Sequence, residues 1–158
     1  MTANGPTSPD SAAVVPGIPP SVTEETAVFW AGAAEGRLLV ERCQDCGAES
    51  FPPYGVCRTC RSRSTEPVEI TGRGQVYSLT VNYQRWLPGL EVPYALVLVE
   101  FDGHPGVRVL GRLRGCPPQE ATIGMSVDVG FEPGPGTCFL DGQERAYAVP
   151  SFVAVAGA

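Results

Sequence analysis

Lysine is missing from this chain: all eleven basic residues are arginine, and seventeen acidic residues bring the net charge to −6. The arginines form no run longer than the interrupted group Arg58, Arg61 and Arg63. A general nucleic-acid binder displaces counterions from phosphates with a basic surface, so this balance argues against that class. Histidine is nearly absent, with His104 alone between two β-rich stretches in the turn Asp102-Gly103-His104-Pro105-Gly106, where a surface turn residue is expected. No apolar run approaches the roughly 18 to 20 residues of a membrane helix, and MTANGPTSPDSAAVVPG has none of the positive charge of a targeting leader. The expectation is a cytoplasmic protein. A serine nucleophile elbow, a phosphate-cradling glycine loop and a dinucleotide fingerprint are also missing, since Gly72-Arg73-Gly74 is too short for any of them. With no base placed to activate a thiol, no catalytic residue is assigned, and no self-contained active site is expected.

What the chain does have is turn chemistry. Sixteen prolines and nineteen glycines in 158 residues favour a mainly β protein with little helix. Residues 1–20 are Ala, Ser, Pro and Gly with few large apolar side chains, and read as a disordered leader. Residues 21–36 follow as a helix. Ser21 with Glu24 makes a capping-box pattern, and Val22, Ala27, Trp30, Ala31 and Ala34 recur at helical spacing up to Gly36. Phe29 and Trp30 lie on or beside that apolar face, either covering the main core or docking on a partner subunit.

Residues 37–65 carry the strongest signal. The strand-like RLLVER leads into Cys43-x-x-Cys46, and Cys57-x-x-Cys60 follows with ten residues between the two pairs. Two such knuckles facing each other direct four thiolates at one point, which suits a tetrahedral zinc ion, one per chain. Four thiolates leave no open position for water or substrate, so this zinc is structural. Disulfides are the alternative, disfavoured in a reducing compartment. Cys116 and Cys138 lie in Pro/Gly-rich surroundings and read as ordinary thiols.

From residue 66 to 158 the pattern is β. VEITGRGQVYSLTVNY, YALVLVEF, GVRVLGRL, SVDVGFE and AYAVPSFVAV make about five strands, the first long and bent at Gly72 and Gly74. A five-stranded Greek-key barrel accommodates them, and a small sandwich is the alternative. The connection Tyr83-Gln84-Arg85-Trp86-Leu87-Pro88 gathers aromatic and cationic groups on one loop. There Arg85 can pair with phosphate and Trp86 can stack on a flat base, with Tyr83 beside them, or the loop simply closes one end of the barrel.

The ordered motifs FWAGAAEGRLLVERCQDCG, FPPYGVCRTC, GRGQVYSLTVNY, PYALVLVEF and IGMSVDVGFE resemble the acyl-CoA-associated zinc-ribbon/OB-fold family, long catalogued as a domain of unknown function. The likeness runs from about Phe29 to Phe131. It implies an N-terminal helix, a rubredoxin-like zinc ribbon and a five-stranded OB-fold barrel. It also implies a non-catalytic accessory subunit, whose thiolase-like or aldolase partner holds the catalytic residues and acts on acyl-CoA at a shared site, as in lipid or steroid breakdown. On this reading Tyr83, Arg85 and Trp86 lie nearest the CoA ester, and Phe29 and Trp30 nearest the partner. Arg61 follows the second knuckle where many relatives have glycine. The competing reading is a free-standing OB-fold module that binds single-stranded nucleic acid through aromatics on the barrel face, and the acidic charge weighs against it.

Overall fold

Thr23, two residues beyond the expected Ser21, starts the helix. In the computed structural model, which describes residues 17–71, 73–140 and 142–155, α1 spans Glu24–Ala34. Most of the expected leader, residues 1–16, lies outside the described residues. The Thr23 N–H donates to Thr26 Oγ1 at 2.9 Å, so a threonine pair replaces the predicted Ser21/Glu24 cap. Glu24 and Glu25 then sit in the first turn, where carboxylates suit the exposed N–H groups. Phe29, Gly32 and Ala33 form the buried face. Gly32 lets the helix lie directly on the next strand: a Cβ there would stand 2.6 Å from Leu39 Cδ1.

Strands β1 (Leu39–Cys43), β2 (Glu49–Ser50) and β3 (Thr65–Glu69) form a three-stranded antiparallel sheet in the order β2-β1-β3. This corrects the expected long, bent strand. Its first part is β3, an edge strand paired with β1 from Leu39↔Glu69 to Cys43↔Thr65, and only its second part, β4 (Gly74–Asn82), enters the larger sheet. β2 occupies one side of β1 and β3 the other, so β1 is the central strand. Pro67 is tolerated in β3 because an edge strand has one unpaired side.

The larger sheet adds β5 (Tyr94–Phe101), β6 (His104–Arg114), β7 (Ser126–Leu140) and β8 (Gln143–Ala154) to β4. The strands hydrogen-bond in the closed order β4-β5-β6-β8-β7, with β6 and β8 parallel and the rest antiparallel. Gly74↔Val127 and Gln75↔Ser126 close the ring, which removes the sandwich alternative. Val76, Val97, Val99, Val109, Val127 and Phe152 fill it, each no more than 1% exposed. Gly111 allows Phe152 in, since a Cβ at that point would lie 2.7 Å from both the Phe152 ring and the Pro150 carbonyl oxygen.

The last two strands are longer than their apolar motifs suggest. The segment EPGPGTCF, expected as a connection, continues β7 through a bulge between Pro133 and Thr137 and pairs with β8 as far as Leu140↔Gln143. Tyr147 Oη donates to the Pro135 carbonyl at 3.1 Å, and Trp30 meets the Tyr147 ring edge-on at 5.7 Å between centroids. The helix is thereby held on the hairpin.

His104 is not a free surface residue. It opens β6, and its Nδ1 lies 2.7 Å from Oε2 of Glu49 on β2, both side chains being only 11% exposed. Arg42 Nε donates to the other Glu49 oxygen at 2.9 Å. Burial pushes the Glu49 carboxyl up, but hydrogen bonds from His104 and Arg42 outweigh it and hold the group below its ordinary value. This three-residue bridge ties the small sheet to the ring across 55 residues of chain. Among the described residues no helix is long and apolar enough to cross a membrane.

Candidate functional site

The metal centre starts where β1 ends. Cys43 closes that strand, and the chain turns back so that Gly47 N–H donates to the Cys43 carbonyl and Cys43 N–H to the Ala48 carbonyl, both at 2.9 Å. The second knuckle repeats the arrangement. Arg61 N–H donates to the Cys57 carbonyl at 2.9 Å and Cys57 N–H to the Ser62 carbonyl at 2.8 Å. Each turn needs a residue in the left-handed region, filled by Gly47 at φ 74° in the first and by Arg61 at φ 65° in the second.

All four sulfurs lie within 4.8 Å of one another. The Cys43–Cys60 and Cys46–Cys57 separations are 3.5 and 3.6 Å. A tetrahedral ion about 2.3 Å from each sulfur needs sulfur pairs about 3.8 Å apart, so the donor set fits once the two closest pairs widen slightly and the widest separation closes. Cys43 and Cys57 are buried while Cys46 and Cys60 face solvent. The thiols share their protons unequally: backbone N–H groups at Cys60 and Thr59 lower Cys57 to about 6, while Cys60, despite a backbone hydrogen bond at Ser62, is pushed up to about 12 by the neighbouring Cys46 and Cys43 sulfurs. Thiolate is the ligating form of cysteine.

Because Arg61 bears a Cβ in a conformation suited to glycine, the second knuckle carries about 1 kcal/mol of backbone cost. Arg61→Gly is therefore expected to bind metal severalfold more tightly in a chelator competition. Equal or weaker affinity would show that the turn is unstrained.

Glu41 was not singled out by sequence reasoning, yet it builds the wall beside the second knuckle. Only 8% exposed, it accepts hydrogen bonds from Tyr54 N–H (3.1 Å), Gly55 N–H (3.0 Å) and Thr65 Oγ1 (2.9 Å). The available signal was a carboxylate following the apolar run Leu38-Leu39-Val40, where an unpaired charge would be costly.

The remaining candidates separate. Tyr83 and Trp86 are 66% and 69% exposed, and Arg85 is exposed with them, on the loop between β4 and β5. Phe29 is 5% exposed, with its ring in the core edge-on to Phe51, which matches the first of the two readings given for it. Trp30 is half-buried between Phe29 and Tyr147. The exposed large apolar side chain on the helix is Val28, at 47%. Cys116 is half-buried, its thiol pushed up by burial and by Glu120, whereas Cys138 is buried in β7.

Comparison with known proteins extends these observations. Residues 30–66 match the model for the ChsH2 rubredoxin-like zinc ribbon domain, and residues 67–132 match that for the ChsH2 C-terminal OB-fold domain. The chain is 38% identical over 108 residues to the 3-oxo-4,17-pregnadiene-20-carboxyl-CoA hydratase alpha subunit of Mycobacterium tuberculosis, covering 68% of this chain and 34% of that one. It therefore spans about a third of that relative's length. A DUF35 domain-containing scaffold protein of Pyrococcus furiosus is 33% identical, covering 59% of this chain and 67% of the relative. The benzoylsuccinyl-CoA thiolase subunit BbsA of Thauera aromatica is 30% identical, covering 53% and 58%. Among solved structures, a chain of an Ltp2-ChsH2(DUF35) aldolase superposes with a TM-score of 0.71 at 29% identity, covering 86% of this chain and 98% of that one.

Proposed function

The chain belongs to the ChsH2-type zinc-ribbon/OB-fold family that includes the DUF35 scaffold proteins, and from that premise we propose that it is a non-catalytic accessory subunit. Its partner is a thiolase-superfamily or aldolase enzyme acting on acyl-CoA thioesters. The ion held by Cys43, Cys46, Cys57 and Cys60 is zinc, and it keeps the ribbon folded. The observation that carries this reading is the combination of a four-thiolate centre with a ring whose interior is filled by side chains. A closed thiolate site offers no coordination position to a substrate, and a filled ring offers no cavity to an acyl chain. The CoA-thioester relatives named above support the class of partner.

In this proposal the β4–β5 loop borders the acyl-CoA path in the complex. Arg85 meets a phosphate of the nucleotide end, while Tyr83 and Trp86 offer rings to the adenine. The test uses the complex of this chain with its cognate enzyme subunit. Arg85→Ala is expected to raise KM for the CoA ester about tenfold, with kcat and assembly unchanged, because a contact made equally in ground and transition states affects binding alone. An unchanged KM would remove the loop from the path. Single-stranded nucleic acid remains the competing ligand class, and the net charge of −6 counts against it.

A further inference from the structure

The outside of the closed ring is not uniformly polar. Along β5 the inward residues are Ala95, Val97, Val99 and Phe101, so Leu96, Leu98 and Glu100 face outward. Their neighbours follow from the register: Leu98 pairs with Ser78 on β4 and with Leu110 on β6, while Leu96 pairs with Arg112 and Glu100 with Arg108. Leu110 is 58% exposed and Tyr77 49%. Three leucines thus form an apolar patch across two central strands of a surface that water would ordinarily select to be polar.

Arginines border the patch. Arg108 stacks on Tyr77 at 3.6 Å and pairs with Glu100 at 2.7 Å. Arg114 pairs with Glu132. Arg112 lies 5.1 Å from the Tyr94 ring centroid and forms no ion pair among the described residues. Its Nε is shielded from water and has no hydrogen-bond partner. A guanidinium with no ion pair of its own beside an apolar patch suits a carboxylate brought to its terminal nitrogens by a partner, and an aromatic–arginine–leucine cluster has the composition of an interface centre.

We propose that the outer face of β4, β5 and β6, centred on Leu98 and Leu110, is where the acyl-CoA enzyme subunit docks, through an apolar patch bearing a carboxylate opposite Arg112. The inference rests on the accessory-subunit reading and moves the contact from the helix to the ring. Charge selects this occupant. A second copy of this chain would bring the same arginines, while Glu100, the one acid on β4, β5 and β6, is held by Arg108, and Glu132 on β7 is held through one oxygen by Arg114 with its other oxygen buried, so these strands offer Arg112 no exposed carboxylate. A nucleic-acid strand would need open aromatic faces and uncompensated cations, but both tyrosines are covered by arginine and two of the three arginines are neutralised.

The experiment co-expresses the full chain with its cognate enzyme subunit and measures the dissociation constant of the purified pair. Leu110→Asp should weaken the complex about 30-fold or more, and Arg112→Gln about tenfold. Val28→Asp, on the exposed side of α1, should change it less than about twofold. All three variants should keep one metal per chain and the wild-type melting temperature, because these side chains lie outside the cores. A Leu110→Asp or Arg112→Gln chain that assembles with wild-type affinity overturns the surface and leaves the accessory reading standing. So does a wild-type chain that dimerises, or binds an oligothymidine, through Leu110. A wild-type chain that forms no complex at all overturns the accessory reading, and this surface with it.

Discussion

Replacing Cys57 by serine is expected to reduce zinc from one ion per chain to well under one tenth, and to unfold residues between β1 and β3. Three thiolates hold the ion far less tightly than four, and the ribbon has little else to stabilise it. Between Cys43 and Thr65 its regular structure is the two-residue β2 and two knuckle turns, and its buried side chains are chiefly the ligands themselves. Structural zinc contributes on the order of 10 kcal/mol to comparable small modules, as much as the stability of a whole domain. Loss should spread outward, because Glu41 and Glu49 both use the ribbon to contact other parts of the molecule. Metal analysis of freshly purified, reduced protein reads the first effect, and protease sensitivity in the 44–64 segment reads the second. Cys116→Ser and Cys138→Ser should retain full metal. A Cys57→Ser chain with one tightly held zinc would move the centre elsewhere.

Glu41→Ala should be the next most damaging change, costing about 3 kcal/mol, or a fall of roughly 10 °C in melting temperature for a chain of this size. The carboxylate accepts from two backbone N–H groups and one hydroxyl within 3.1 Å, and removing it deprives three part-buried donors of a charged acceptor. Glu41→Gln retains one acceptor oxygen and should cost about half as much. Calorimetry on the zinc-loaded protein checks both. If the alanine variant melts with the wild type, the Tyr54–Gly55 turn is held by something other than this side chain.

The parts legible in the sequence were those written in local spacing. Four cysteines in two knuckles announce a metal site wherever the chain places them, and Gly47 and Gly36 mark the turns that need a left-handed residue. The number of ring strands was readable from β-branched and aromatic runs between Pro/Gly clusters. Strand ends were not. VEITGRGQVYSLTVNY has continuous β character, and its division into β3 and β4 is decided by pairing with β1, nearly thirty residues earlier. In EPGPG, proline and glycine read as a loop, yet a bulge keeps that stretch in register with β8. His104 looked like a turn residue because its partner Glu49 lies 55 positions away, with no local trace of the pairing. Phe29 and Trp30 occupy adjacent positions on one helix and differ in fate: one faces the core, and the other slants toward the hairpin at Tyr147. The outward leucines were hidden for the opposite reason. YALVLVEF is apolar at nearly every position, so alternation could not show which residues face out.

The accessory-subunit account is tested most directly by turnover of an acyl-CoA ester with three samples: this chain alone, its cognate enzyme subunit alone, and the co-purified pair. No turnover is expected from the chain alone, and a large gain in kcat/KM is expected for the pair over the isolated enzyme subunit. Robust turnover by the chain alone, or an enzyme subunit that gains nothing from its presence, would contradict the accessory-subunit reading.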